Sequence, residues 1–176
     1  MKKSVAIIAL GANLGDRETC LLEALHRLEL KGIHVLSCSR FVETVPVGYT
    51  NQPDFLNGAA ALEIPESMNP ERLLSLLLTT EKELGRERPF PNAPRTCDLD
   101  LIFFEAEIRN TATLTLPHPR WQERAFVLVP LANLFEIANS ENADWIRREP
   151  WGTLQSRVTE LLKPLDCSEI RRKPEK

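Results

Sequence analysis

The chain opens with a pattern of apolar and polar positions that predicts a strand followed by a helix. Residues 5–10 form a continuous apolar run rich in β-branched residues, which is typical of a strand buried on both faces. Leucines between Leu21 and Leu28 then recur at helical spacing, with Asn13 or Asp16 as the candidate cap and Gly32 as the stop. Two lysines before the apolar run imitate a signal peptide, but the run is short and charged residues follow it, so the pattern favours a buried first strand.

Two further strands, a second helix and a fourth strand follow. Residues 33–44 and Phe55–Ile64 are predicted strands between turn-forming segments. A capping Asn69 before Pro70 predicts the start of a helix that carries leucines on one face and ends near Gly85. Asp98–Phe104 is the fourth predicted strand. The order β-α-β-β-α-β predicts an α+β fold of the ferredoxin-like type, with two helices on one face of an antiparallel sheet.

The remainder of the chain carries a weaker pattern. Residues 124–135 suit one more buried helix, although the apolar run alone does not exclude a strand and Pro130 would distort a helix. A surface helix is expected over residues 153–162 and a frayed tail over residues 171–176. We therefore expect a single domain over residues 1–176, with a core at about 5–135 and a C-terminal extension at 136–176.

Composition and charge narrow the classes of partner. The 176 residues are 43% hydrophobic and 27% charged, with a formal net charge of -3, so no global basic field is available to hold a nucleic acid or an anionic membrane. The uncharged stretches fall short of the roughly 18 apolar residues of a membrane span. The cysteines are scattered without a CxxC pair, which favours free thiols and a cytoplasmic location. No extended apolar face is expected, which favours a monomer.

Asp98 and Asp100 are the most informative residues for function. Because a strand has a period of two, both carboxylates are expected on one side, about 6.5 to 7 Å apart, with Leu99, Leu101 and Phe103 on the other. Two Mg²⁺ ions that bridge phosphate oxygens would neutralise these like charges. The alternative is a solvated strand end, but the apolar residues that continue the aspartate face indicate an interior strand.

The loop before this strand is rich in arginine. Residues 85–96 contain three prolines and a glycine, which exclude regular structure, and they carry Arg86, Arg88 and Arg95 toward the acidic pair. Arginine matches phosphate oxygens with a planar fork of donors, so metal ions and arginines would hold a polyphosphate from two sides. The alternative is a solvated loop, which competes most strongly for Arg88. No Walker-type phosphate loop and no GxGxxG motif is present.

Glu81 and His118 have competing interpretations. Glu81 lies near the apolar stripe of the second helix, where a boundary position is favoured about two to one over a functional role. His118 lies in a rigid, proline-rich turn, where a lone histidine is usually a surface residue.

Seven segments, in order along the chain, resemble one known family. They are ALGANLGDR (9–17), ETVPVG (43–48), QPDFLN (52–57), LGRER (84–88), APRTCDLDLIFF (93–104), LPHPR (116–120) and RAFVLVPL (124–131). They are similar in sequence and spacing to the 6-hydroxymethyl-7,8-dihydropterin pyrophosphokinases. The resemblance implies transfer of the β,γ-pyrophosphoryl group of ATP to the hydroxymethyl group of the reduced pterin, with release of AMP, in folate biosynthesis.

The resemblance also implies roles for individual residues. Asp98 and Asp100 would hold two Mg²⁺ ions between ATP and the pterin hydroxyl, Arg86 and Arg95 would assist the transfer, and Arg88 would contact ATP. The implied pterin pocket consists of Thr44, Pro46, Val47, Phe55, Asn57 and Phe126, in which Asn57 bonds the ring edge and the aromatic rings sandwich its faces. The implied nucleotide side consists of Glu81, Thr115, His118 and Arg124.

Two other classes of function compete with the pyrophosphokinase. A non-catalytic pterin-binding or nucleotide-binding protein on the same scaffold would have lost an acid or an arginine, and none is lost. A two-metal phosphohydrolase also uses paired carboxylates and arginines, but it has no need of the pterin-pocket segments. The chain has Asn92, Leu78 and Phe55 where some family members have Trp, Gln and Tyr, and a slightly shorter loop, which bears on loop closure but not on the metal and arginine positions.

Overall fold

The structure, a computed structural model, describes residues 3–87 and 89–171. Its strands are β1 (Ser4–Ala12), β2 (His34–Cys38), β3 (Val42–Thr44), β4 (Phe55–Ile64), β5 (Asp98–Phe104), β6 (Arg109–Asn110), β7 (Thr115–Leu116) and β8 (Ile170–Arg171). Its helices are α1 (Arg17–Leu30), α2 (Pro70–Glu83), α3 (Ala125–Ser140) and α4 (Trp151–Leu162). None of the helices within these described ranges is long and apolar enough to cross a membrane.

An antiparallel sheet forms the centre of the fold. The strand order is β5-β1-β4-β3-β8, and β2 also pairs with β4. β1 lies between β4 and β5, so that Gly11 is opposite both Asn57 and Asp98. The predicted antiparallel sheet with helices packed on it is confirmed. The register brings the first residues of β4 and β5 together at one end of the sheet.

The two helices of the predicted core, α1 and α2, pack on one face of the sheet as predicted, and two further helices cover the other face. Residues of α1 and α2 form one apolar core with β1 and β5. Residues of α3 and α4 form a second core on the other face. The helix expected on the surface over residues 153–162 begins earlier, at Trp151, and buries Trp151 and Val158 in this second core. Each such large buried side chain stabilises the fold by roughly 1.5–3 kcal/mol.

The predicted helix starts are confirmed. Asp16 accepts a hydrogen bond from the Thr19 N–H at 3.1 Å, and Asn69 accepts one from the Arg72 N–H at 2.9 Å. Each cap satisfies one of the N–H groups that a helix leaves without an internal partner. α2 ends just before Gly85, whose φ of 81° is a conformation that favours glycine.

The predicted strand over residues 33–44 divides into β2 and β3, which both pair with β4. Between them, the Ser39 hydroxyl accepts a hydrogen bond from the Ala59 N–H and donates one to the Arg40 carbonyl, each at 2.9 Å. The Ala59 N–H therefore donates to a side chain and not to a backbone carbonyl of the neighbouring strand. This replacement of a backbone hydrogen bond is the physical reason for the break.

β5 contains a bulge that changes which side chains share a face. Its pairing with β1 steps from Leu101 to Phe103 and leaves Ile102 as the extra residue. Leu99 and Leu101 lie in the first core as predicted, but Phe103 lies in the second, so its predicted face is wrong. The aspartates precede the bulge and keep the period of two. β5 is the outermost strand in the sheet order, so the predicted interior position of this strand is wrong.

The C-terminal segment returns to the sheet after α4. β8 pairs with β3, with Ile170 opposite Thr44 and Arg171 opposite Glu43. The frayed tail expected over residues 171–176 is therefore wrong for Arg171, and residues 172–176 lie outside the described residues.

Candidate active site

A cavity of about 300 Å³, here named the main cavity, opens at the end of the sheet where β4 and β5 begin. Its walls come from the end of β3, the first residues of β4 and β5, the arginine-rich loop and the first turn of α3. This volume lies at the lower end of the range for small-molecule sites.

Asp98 and Asp100 both line the main cavity. Leu99 between them is buried in the opposite core, so the carboxylates share one side of β5 as the period of two predicts. Burial, together with the negative charges of Asp98 and Glu81, raises the pKa of Asp100 to about 7. Like charges held together away from water are unfavourable, and a bound divalent cation would relieve them.

Glu81 and Arg86 form a buried ion-pair network behind Asp98. The Arg86 Nη1 lies 2.8 Å from the Glu81 Oε1 and also pairs with the Asp98 Oδ1. The Arg86 and Glu81 side chains are only 8% and 3% exposed. The Glu81 Oε1 also accepts a hydrogen bond from the Leu99 N–H at 2.7 Å. The expected boundary position of Glu81 is therefore wrong, and its carboxylate ties α2 to β5.

Arg95 lines the main cavity and is held there by Asn13. The Asn13 Oδ1 accepts a hydrogen bond from the Arg95 N–H at 2.9 Å, and its Nδ2 donates to the Gln52 Oε1 at 2.9 Å. The Arg95 Nε lies 3.1 Å from the Asp98 Oδ2, and its guanidinium lies 4.8 Å from the centre of the Phe55 ring. Asn13, considered from the sequence only as a helix cap, thus links the two loops that flank the cavity.

Most of the expected pterin-pocket residues lie in the main cavity. Thr44, Val47, Phe55, Asn57 and Phe126 line it, whereas Pro46 is buried and does not. The Asn57 Nδ2 donates to the Thr44 Oγ1 at 2.7 Å. A Cβ atom at Gly11 would lie 3.0 Å from the Asn57 Oδ1, so a larger residue at this position would crowd the Asn57 side chain. The Asn57 Oδ1 is therefore placed to accept a hydrogen bond from a ligand.

A second cavity, of about 270 Å³, contains the expected nucleotide residues Thr115 and His118. Asp100 lines both cavities and lies at their boundary. Burial and the charge of Arg124 lower the pKa of His118. The His118 Nδ1 accepts a hydrogen bond from the Arg120 N–H at 3.3 Å, which leaves Nε2 as the donor of the neutral ring.

Other residues lie differently from what the resemblance implies. Arg124, expected on the nucleotide side, lines the main cavity, and its guanidinium lies 5.5 Å from the centre of the Phe126 ring. Arg88 lies outside the described residues. The sequence interpretation missed Gln52, Arg120 and Glu169 as lining residues. Gln52 and Arg120 fall inside quoted segments, QPDFLN and LPHPR, whereas nothing in the pattern pointed to Glu169.

Comparisons with known proteins agree on one family. A model of the family described as 7,8-dihydro-6-hydroxymethylpterin-pyrophosphokinase (HPPK) matches residues 7–136. The chain is 46% identical over 139 residues to 2-amino-4-hydroxy-6-hydroxymethyldihydropteridine pyrophosphokinase of Bacillus subtilis, which covers 78% of this chain and 82% of the relative. It is 39% identical over 166 residues to the protein of the same name from Synechocystis sp., which covers 94% and 78%.

A solved structure of Plasmodium falciparum HPPK-DHPS, with pterin and p-hydroxybenzoate, has a similar fold. The TM-score is 0.57 at 14% identity, and the match covers 97% of this chain and 47% of that one. The chain thus spans about half the length of that structure, and the likeness concerns the fold alone.

Proposed function

Because the chain belongs to the 7,8-dihydro-6-hydroxymethylpterin-pyrophosphokinase family, we propose that the main cavity and the second cavity together form its active site. The reaction is pyrophosphoryl transfer from ATP to hydroxymethyldihydropterin in folate biosynthesis. The observation that carries the assignment is Asp100, whose carboxylate lies at the boundary between a cavity suited to a pterin and one suited to a nucleotide.

The residues present fit two Mg²⁺ ions held by Asp98 and Asp100. Within the described ranges, no group of three or more His, Cys, Asp and Glu side chains is arranged to hold a metal ion. A protein nevertheless usually supplies only one or two carboxylate ligands to Mg²⁺, and the other ligands come from phosphates and water. The raised pKa of Asp100 supports the same assignment, since it reports unfavourable charge that a cation would offset. When bound, Mg²⁺ would polarise the phosphate oxygens and neutralise their charge.

The side chains of the main cavity position the pterin. Phe55 and Phe126 offer apolar walls to a flat ring, and the Asn57 Oδ1 accepts a hydrogen bond from its edge. The hydroxymethyl oxygen then points toward Asp98 and Asp100. Holding this nucleophile in line with the β-phosphorus supplies a large part of the rate enhancement.

The cationic side chains bind the phosphates and stabilise the transition state. Arg95 and Arg124 reach the transferred oxygens from two walls of the main cavity, and the His118 Nε2 donates to the nucleotide in the second cavity. Glu81 and Arg86 act through Asp98, whose carboxylate they orient. Arg88, outside the described residues, is proposed to contact ATP on the resemblance alone. Attack at the β-phosphorus breaks its bond to the α-phosphate oxygen, so AMP leaves.

Three broader proposals accompany the reaction. The four cysteines are free thiols, which supports a cytoplasmic location. Among the described residues, the two most exposed large apolar side chains are Leu30, at the end of α1, and Ile108, in the connection between β5 and β6, which are far apart along the chain; this supports a monomer. We also propose that residues 1–176 act as one domain, since α4 and β8 pack on the same sheet as the core.

Product analysis tests the proposal. Purified protein with ATP, Mg²⁺ and 6-hydroxymethyl-7,8-dihydropterin is expected to form AMP in equal amount to the pterin product, as measured by chromatography. AMP should not form when the pterin is omitted. ATP breakdown without pterin would instead indicate a phosphohydrolase, and pterin binding without any breakdown would indicate a non-catalytic binding protein.

A further inference from the structure

The C-terminal segment contributes a residue to the main cavity. Glu169 lines the cavity together with Thr44, Asn57 and Phe126. The Glu169 carbonyl accepts a hydrogen bond from the Val45 N–H at 3.0 Å, and the next residue pairs with Thr44 in the ladder between β3 and β8. These backbone contacts join the segment before β8 to the end of β3. They hold Glu169 in place beside the main cavity.

The Glu169 carboxylate has no hydrogen-bond or ion-pair partner among residues 3–87 and 89–171. Burial and the nearby charge of Asp166 raise its pKa. Ionised carboxylates are acceptors only, and partly buried ones normally find donors. Since the described protein supplies none here, the donors must come from water or from a ligand in the cavity.

The position of Glu169 in the main cavity indicates which end of a bound pterin would lie next to its carboxylate. β5 and β8 are the two outer strands along the sheet order. Asp98 and Asp100 on β5 mark the end at which the hydroxymethyl group reacts, and Glu169 stands beside β8 at the other end. In a 6-hydroxymethylpterin, the 2-amino group and the N3–H lie at the opposite end of the long axis from the hydroxymethyl group. These two donors are adjacent and parallel.

We propose that Glu169 is a substrate-binding residue whose carboxylate accepts hydrogen bonds from the 2-amino group and the N3–H of the pterin. The inference rests on the proposed function and deepens it, because it adds to Asn57 a second acceptor for the donors on the edge of the ring. A carboxylate facing two parallel donors forms a strong bidentate pair. A site built for such donors also rejects analogues that lack one, because its acceptor is then left unpaired.

Calorimetric binding with two ligands tests this role. The ligands are 6-hydroxymethyl-7,8-dihydropterin and an analogue with a 2-oxo group in place of the 2-amino group, each titrated with Mg²⁺ and a non-hydrolysable ATP analogue present. Wild type is expected to prefer the amino ligand. Glu169→Ala should weaken the amino ligand by about tenfold or more, and the 2-oxo analogue by much less. Glu169→Gln retains one neutral acceptor and should fall between them.

Asp166→Asn is the matched control, because it removes a charge from the same segment but does not line the cavity. Asp166 accepts a hydrogen bond from the Ser168 N–H at 2.9 Å, and an asparagine retains that acceptor. It should leave the preference for the amino ligand unchanged. Thermal unfolding of each variant shows that the segment stays folded.

The AMP assay on the same wild-type preparation separates the two levels of the proposal. If wild type binds the pterin and forms AMP while Glu169→Ala keeps the full preference for the amino ligand, the role of Glu169 is overturned and the proposed function stands. An equal loss of both ligands in Glu169→Ala overturns the role as well, because it shows a structural effect. If wild type neither binds the pterin nor forms AMP, the proposed function fails and the inference fails with it.

Discussion

Replacing Asp100 with Asn is expected to lower AMP formation by roughly 100-fold or more while making the metal-free protein more stable at neutral pH. The loss of activity follows from the loss of a carboxylate that we propose to bind Mg²⁺ at the boundary between the two cavities. The gain in stability follows from the pKa of Asp100, which is about 7 in the folded protein and lower in the unfolded chain. Between these two pKa values Asp100 binds a proton in the folded protein but not in the unfolded chain, so the contribution of Asp100 to wild-type stability falls as pH rises toward 7.

Denaturant unfolding of wild type and Asp100→Asn from pH 4 to 8, without Mg²⁺, measures this effect. The advantage of the variant should grow up to about pH 7 and then level off, reaching on the order of 1–4 kcal/mol. Asp144→Asn is the control, because Asp144 is exposed and lies outside both cavities. A stability difference that does not change with pH, or normal AMP formation by Asp100→Asn, would contradict the assignment of Asp100.

Replacing Arg86 with Ala is expected to destabilise the protein by about 3–5 kcal/mol, because it leaves the Glu81 carboxylate buried without its guanidinium partner. It should also lower kcat, because Asp98 loses one of the two arginines that orient it. The double variant Arg86→Ala with Glu81→Gln should recover much of the stability but not the activity. Glutamine removes the unpaired charge and can still accept the hydrogen bond from the Leu99 N–H.

Thermal and denaturant unfolding of the single and double variants check this prediction. Arg157→Ala is the control, since the Arg157 side chain is 51% exposed and its pair with Glu160 is separated by 3.7 Å. Exposed pairs of this kind contribute little to stability, so the control should lose only a small fraction of what Arg86→Ala loses. Equal losses of stability in both variants, or no recovery in the double variant, would contradict the assigned role of the buried Glu81–Arg86 pair, and an unchanged kcat in Arg86→Ala would contradict its role in orienting Asp98.

The elements with strong local signals were predictable from the sequence. β1, β4, β5 and the starts of α1 and α2 lie where apolar runs and caps place them, because these signals act within a few residues. The break between β2 and β3 depends on a hydrogen bond from the Ala59 N–H of β4 to the Ser39 side chain, and these two residues are far apart along the chain. The bulge in β5 likewise depends on packing against β1. Neither leaves a local mark in the pattern.

The residues of the candidate site likewise fall into those that the sequence predicted and those that it did not. The two aspartates, Arg95 and most of the residues expected in a pterin pocket belong to recognisable segments, and the structure brings them to one cavity. The burial of Glu81 was not predictable from helical periodicity, because its partner Arg86 lies in an irregular loop. Glu169 reaches the cavity through a two-residue strand, β8, which is too short for any periodicity to reveal. The sequence pattern therefore does not predict contacts that depend on the pairing of short segments far apart along the chain.

Attack at the β-phosphorus of ATP distinguishes a pyrophosphokinase from an ordinary kinase. The most direct test incubates the protein with Mg²⁺, 6-hydroxymethyl-7,8-dihydropterin and ATP labelled at the β-phosphorus, and follows the label by chromatography. We expect the label to move from ATP to the pterin product while an equal amount of unlabelled AMP appears. Label that remains with the adenosine, as ADP, would contradict the assigned reaction.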